Sequence, residues 1–288
     1  MLVTLKEILD IAEERKIAVG SFNGASLEAI EGVIAAAEEL DVPVILQHAE
    51  GHERLISMDV VGPIMLEHAK RAKVPVCVHV DHGFHFEMLE KALKMGFSSI
   101  MFDGSTLPYE ENLALTKKAV ALAKEYGASV EAELGSMGRR ETGAEDSKAG
   151  LNDETKIYTD PEQAAEFVKE TGIDALACSF GTTHGFYKAE PKLDFDVVKG
   201  VRELTGGIPV VMHGGSGVSH EDYRKSVEAG VRKINYFTYM DLAGGRAVQK
   251  YINELPEGKL PNFSGAMAAA REAMKEDTKA AMKVFAGI

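Results

Sequence analysis

The sequence predicts an α/β protein, a (β/α)8 TIM barrel forming a single domain over residues 1–288 with an extra C-terminal helix. Three observations predict it. Eight short apolar or β-branched runs are spaced along the chain, and stretches of helical periodicity lie between them. The glycine fingerprint that an open nucleotide-binding sheet places after its first strand is missing, because FNGAS stands there instead.

The first strand is expected at 17–22 (IAVGSF), followed by an amphipathic helix at 26–40 (SLEAIEGVIAAAEEL). Strands at 43–47 (PVILQ), 75–80 (PVCVHV) and 98–102 (SSIMF) come next, then a helix at 109–126 (YEENLALTKKAVALAKEY) and a strand at 128–133 (ASVEAE). DPEQAAEFVKET, 160–171, reads as a helix capped by Thr159 or Asp160, with Pro161 in its first turn where a missing N–H costs nothing. The last strands are expected at 174–179, 208–212 and 232–235. All are near-continuously apolar, as parallel strands covered on both faces must be. Two stretches break the rhythm. Residues 134–158 form a long polar connection, the kind that serves as a lid or binding loop. Residues 255–288 read as a turn and a final helix that closes the barrel or packs on a partner subunit.

Acidic residues outnumber basic ones, 45 to 32, for a net charge of −13. Such a surface repels nucleic acid and anionic membranes, so neither is an expected partner. An anionic substrate then needs locally placed cations or backbone N–H groups. Cys77 and Cys178 each lie in an apolar run and read as buried thiols, compatible with a reducing cytoplasm. The charged N-terminus is unlike a signal peptide, and apolar runs fall short of the ~20 residues that span a bilayer.

Barrel active sites form at the C-terminal ends of the strands. Strand 3 ends in HVDHGFH (His79, Asp81, His82, His85), strand 4 at Asp103, and strand 5 at Glu131 and Glu133. Strand 6 runs into GTTHGFYK with His184, strand 7 ends in MHGGSG with His213, and strand 8 ends at Asn235. His82, His184 and His213 can supply three imidazoles and leave a metal an open position, as catalytic zinc requires. Spacing alone leaves His79 and His85 as rivals, whereas His52, His68 and His220 read as surface residues. Asp81, Asp103 and Glu133 can serve as acid or base, as orienting groups, or as ligands.

The loop Gly214, Gly215, Ser216, Gly217 lets backbone N–H groups approach an anion where barrels hold phosphate. Lys188, Asn235 and Thr238 add to that phosphate clamp. Metal, carboxylate and phosphate clamp together suit polarising a carbonyl beside a phosphorylated carbon. The Schiff-base alternative lacks a lysine on strand 6, and Lys233 is expected at the far end of the barrel from the mouth.

The motifs VDHG, EAELG, GTTHGFYK, VMHGGSG and KIN, in this order, resemble those of the class II fructose-bisphosphate and tagatose-bisphosphate aldolases, over residues 1–240 and more loosely beyond. The resemblance implies a zinc-dependent lyase that cleaves a ketose 1,6-bisphosphate to dihydroxyacetone phosphate and an aldehyde. By it, Asp81 is the acid/base at the C4 hydroxyl, and His82, His184 and His213 bind zinc. Glu133 and Asp103 stand near the metal when it shifts position. Glu141, in the long connection, moves the donor's proton. Gly185, Lys188, Gly214, Ser216, Asn235 and Thr238 contact the donor and its phosphate. A monovalent cation (sodium or potassium) near that phosphate, and a homodimer or homotetramer, also follow from the resemblance.

The departures concern the aldehyde half. Arg139 and Arg140 precede Glu141, Ala49 stands where serine or threonine is common, and His48 beside it is a candidate to face the mouth. Tyr236 and Phe237 replace an aspartate or small residues, and Arg271 and Lys275 are the candidates for a distal phosphate. The alternatives are an aldolase for another phosphorylated keto sugar, a barrel metallohydrolase, or a non-catalytic phospho-sugar binder.

Overall fold

A computed structural model of the chain describes residues 1–135, 158–185, 187 and 190–288. Arg139, Arg140, Glu141 and Lys188 therefore lie outside the described residues, as does most of the long connection. Eight parallel strands close in sequence order into a barrel: β1 (Val19–Asn23), β2 (Val44–Ala49), β3 (Val76–Gly83), β4 (Ser99–Phe102), β5 (Ser129–Leu134), β6 (Ala175–Cys178), β7 (Val210–Met212) and β8 (Val231–Tyr236). Each falls within about three residues of its expected place, because buried parallel strands announce themselves as apolar runs.

Among the described residues ten α-helices accompany them: α1 (Leu5–Arg15), α2 (Leu27–Leu40), α3 (Met58–Arg71), α4 (Phe86–Met95), α5 (Tyr109–Glu125), α6 (Pro161–Thr171), α7 (Phe195–Leu204), α8 (His220–Ala229), α9 (Thr238–Asn253) and α10 (Phe263–Ala286). The cap expected for α6 forms, with Asp160 accepting from the Gln163 N–H and Pro161 opening the helix. The final helix, α10, packs against α2, α8 and α9 and so completes the outer ring. Arg271 and Lys275 on it pair with Glu31 and Glu39 of α2, at 2.6 and 3.2 Å. This corrects the expectation that either reaches a distal phosphate: both fasten α10 to its neighbour.

Side chains alternate inward and outward along each strand. Deep in the barrel, Val19, Ile45, Cys77, Ala175, Ala177 and Val211 form an apolar layer, closed from below by Leu5, Ile8, Leu9 and Ala12 of α1. Two residues further along the same strands, the inward positions become polar: Ser21, Gln47, His79, Ser179 and His213. The apolar floor excludes water from one end, and the chemistry is confined to the other. Both cysteines are buried and free, and burial pushes the Cys77 thiol up to about 12. Among the described residues no helix is long and apolar enough to cross a membrane.

A candidate metal centre at the mouth of the barrel

Three imidazoles, one from the end of β3 and two from the segments after β6 and β7, meet above the floor. His82 Nε2 lies 3.2 Å from His184 Nε2 and 2.9 Å from His213 Nδ1, and all three residues are buried. Tetrahedral ligands at zinc-to-nitrogen distances near 2.1 Å stand about 3.4 Å apart, so the set closely matches the spacing a zinc ion imposes. The nitrogens facing away are also engaged. His82 Nδ1 is 2.9 Å from Asp103 Oδ2, and His213 Nε2 is 2.7 Å from Glu131 Oε1. Carboxylates behind ligand imidazoles select the tautomer and hold the ring.

The electrostatics favour a cation at the same point. Burial works against charge on His82, yet Asp81, Asp103 and Glu133 together outweigh it and raise its pKa to about 10. Their field would favour a metal cation as it favours a proton. Burial, reinforced by the charge on His82, holds His213 well below the usual range, in the neutral form a metal requires. Burial first, then Asp103, pushes the Glu133 carboxyl well above its ordinary value. Its Oε2 is a buried atom with no hydrogen-bond partner among the described residues. His82, Asp103 and Glu133 form a second ligand-like group that shares His82 with the first. The donor set therefore fits a divalent ion, with carboxylate oxygens beside the three nitrogens.

The end of β3 that carries His82 is under constraint. His82 has φ 45°, a left-handed backbone that residues with a side chain rarely adopt. Glu50, just past β2, grips the loop beyond it. Its Oε2 accepts from the N–H of Phe84 at 2.7 Å and of His85 at 3.2 Å, and its Oε1 pairs with His85 Nδ1. His85, a rival ligand by sequence, is instead an exposed residue at the N-cap of α4. The hydrogen bond and charge of Glu50 raise its pKa above 6.5. A raised folded pKa stabilises below the unfolded value and loses that contribution as pH rises through the folded one. His85→Ala is accordingly expected to lower Tm at pH 6 and to change it little at pH 9, read by paired thermal melts. Equal losses at both pH values would show that the pair contributes no charge-dependent stability.

Asp81 sits in the pocket beside these imidazoles, held by side-chain amides. Gln47 Nε2 donates to its Oδ2 at 2.9 Å, Asn23 Nδ2 to the same oxygen at 3.4 Å, and Asn235 Nδ2 to Oδ1 at 3.0 Å. Burial raises its pKa, but His82, His213, Lys233 and His184 outweigh burial and bring it down to about 2. Asn23 and Gln47 were missed by sequence reading. Their signal was an amide side chain at an inward-facing position near the C-terminal end of a strand.

Gly185, Gly214, Ser216, Asn235 and Thr238 line that same pocket with Asn23, Gln47, Asp81 and His184. Glycine is required at 214 and 215. Gly214 has φ 61° and a Cβ there would strike the Thr183 carbonyl, while one on Gly215 would come within 2.6 Å of the Asn235 carbonyl oxygen. Thr238 opens α9, so the N-terminus of a long helix adjoins the pocket. Asn235, which lines the pocket with the expected phosphate-binding residues, also donates to Asp81.

Further expectations are corrected. His79 is a core partner, its Nδ1 2.8 Å from Ser99 Oγ. His48 points away from the barrel interior, its Nε2 2.9 Å from Glu53. His52 is buried rather than on the surface, its ring 4.7 Å from that of Phe237. Tyr236 turns outward onto Phe22 and Phe285, leaving Phe237 as the bulky group at the mouth. Lys233 is fully buried inside the barrel, its Nζ 2.8 Å from both Glu131 Oε2 and Asn235 Oδ1.

The family model described as "Fructose-bisphosphate aldolase class-II" matches residues 3–287. A fructose-bisphosphate aldolase of Staphylococcus aureus is 41% identical over 287 residues, covering 99% of this chain and 97% of its own. A probable fructose-bisphosphate aldolase of Bacillus subtilis is 40% identical over 289 residues, with the same coverage of both. Among solved structures, the YdjI aldolase from Escherichia coli K12 superposes with a TM-score of 0.85 at 36% identity, covering 99% of this chain and 97% of that one.

Proposed function

The chain belongs to the class II fructose-bisphosphate aldolase family, and on that premise we propose how its own residues perform a reversible, metal-dependent aldol cleavage. The substrate is a ketose 1,6-bisphosphate of the fructose or tagatose type, and the products are dihydroxyacetone phosphate and an aldehyde such as glyceraldehyde 3-phosphate. The observation that carries this reading is the convergence of three imidazole nitrogens, one of them from His184 at the wall of a pocket that also holds a buried carboxylate, Asp81, not among the converging groups.

His82, His184 and His213 would hold a zinc ion, which would supply Lewis acidity toward the substrate ketone and toward the negative charge that develops as the carbon–carbon bond breaks. Asp81 takes the C4 hydroxyl proton in cleavage and returns it in condensation. Its three amide donors hold the carboxylate in place without consuming its ability to accept a proton. Asp103 fixes the His82 ring. Glu133, whose carboxyl is pushed well above its ordinary pKa by burial and by Asp103, would offer a further ligand oxygen to the ion. Glu141 moves the proton on the three-carbon donor. The donor phosphate rests on the N–H groups of the Gly214–Ser216 turn and of the first turn of α9 at Thr238, with Gly185 in the same lining; a contact from Lys188 follows from the family resemblance alone. A sodium or potassium ion near that phosphate, a homodimeric or homotetrameric assembly, and a cytoplasmic location complete the proposal.

One observation favours a second substrate. Ala49 pairs in register with Asp81 at the end of β2, which leaves the aldehyde side without a hydroxyl donor there. A metal-replete comparison of fructose 1,6-bisphosphate, tagatose 1,6-bisphosphate and other phosphorylated ketoses, reading released triose phosphate, is expected to show cleavage of the bisphosphates. Turnover confined to another phosphorylated keto sugar would move the assignment to that substrate, and no released triose phosphate from any of them would end it.

A further inference from the structure

Beneath the metal centre lies a lysine for which the reaction as derived so far has no use. Lys233 is completely buried on the inner face of β8, and among the described residues it is the sole lysine in the core. A buried ammonium is costly unless its surroundings compensate it. It is met by Glu131 Oε2 and Asn235 Oδ1, each 2.8 Å from Nζ.

These two contacts lead to opposite sides of the active centre. An ammonium has donors only, so the atom that Asn235 turns toward it must be oxygen. That choice sends the amide nitrogen the other way, to Asp81 Oδ1 at 3.0 Å. Without the ammonium nothing on that side would distinguish the two ends of the amide, and the flipped form would set an oxygen against a carboxylate. On the other side, Glu131 Oε1 is 2.7 Å from His213 Nε2, so His213 offers Nδ1 to the other imidazoles. His79 closes the group, its Nε2 3.5 Å from Glu131 Oε2.

We propose that Lys233 is a positioning residue for both halves of the reaction, directing Asn235 onto Asp81 and, through Glu131, His213 onto the metal. It touches neither substrate nor metal. This inference rests on the aldolase reading above and adds to it the group that couples acid/base and ligand.

The test uses the full chain with Lys233→Met and the double variant Glu131→Gln/Lys233→Met, measuring zinc dissociation constants by chelator competition, Tm, and kcat and KM separately at saturating zinc. In Lys233→Met, kcat is expected to fall about 100-fold with KM within a few-fold, and zinc to bind about 10- to 100-fold more weakly. The double variant removes both buried charges, so Tm and zinc affinity are expected to recover, because the amide that replaces the Glu131 carboxylate still offers an oxygen to His213. Its kcat stays low, since nothing directs Asn235. Recovery of kcat to the wild-type value in the double variant would reduce Lys233 to charge balance and overturn the inference. Should Lys233→Met fail to fold, the double variant carries the test alone, together with Asn235→Asp. That variant keeps an acceptor for Lys233 but has no donor for Asp81, and the same loss of kcat with normal zinc affinity is expected. Unchanged kcat in Asn235→Asp overturns the inference. Wild-type turnover that resists chelation would instead overturn the aldolase reading, whatever the variants do.

Discussion

Replacing Asp81 by alanine is expected to lower kcat by about two to four orders of magnitude, the range for losing a positioned acid/base group, while the chain retains its zinc. The two halves of this expectation have separate grounds. Retention follows because the converging ligand atoms belong to His82, His184 and His213. The loss of rate follows because Asp81 is the carboxylate in the pocket that is held by neutral donors alone, Gln47, Asn23 and Asn235. With its pKa brought down to about 2 it is ionised in the neutral range, the form in which it would act as a base. The acid limb of the pH–rate profile is then expected to come from some other group. Steady-state kinetics on protein of measured metal content decide the matter. A variant that loses zinc along with activity would make Asp81 a ligand, and one that keeps both would remove it from the reaction.

Stripping the divalent ion is the second large effect. Incubation with a strong chelator is expected to abolish turnover, and stoichiometric zinc to restore it. Borohydride added with substrate is expected to leave the enzyme active and unlabelled. The lysine inside the barrel makes the contrast sharp. Lys233 is fully buried and paired with Glu131, so its amine is not accessible to attack a ketone. Zinc should also stabilise the fold by mass action, by ~4 kcal/mol at a thousandfold excess over its Kd, so Tm should fall on chelation and return with the ion. A borohydride-trapped adduct on lysine, or full rate in metal-free protein, would refute the metal-dependent route.

Where the strands lie and what they carry was largely legible in advance. Apolar runs such as PVCVHV and the histidines that follow them are local signals, and a parallel barrel leaves its strand ends in one place. Errors gathered at residues whose role depends on direction. His52 looked like a loop residue and proved buried against Phe237. Lys233 looked remote because it begins KIN, yet its long side chain climbs inside the barrel to Asn235. Arg271 and Lys275 looked free for an anion until α10 folded back on α2. Tyr236 looked obstructive, and the period of two turned its ring into the outer layer.

Sequence alone determined the residue types and their order: eight buried strands, three histidines at strand ends, glycines where backbone must approach backbone, and the family to which they conform. The strands follow from composition and periodicity over a few residues, which local physics governs, and the family from the resemblance that the ordered motifs carry. Only the tertiary structure decided partnership. That Glu131 stands behind His213, that Asn235 serves Asp81, and that Glu50 restrains the loop after His82 are contacts between strands and loops far apart in the chain. Such contacts depend on barrel closure, which fixes register and inward direction together and has no counterpart in the spacing of neighbouring residues.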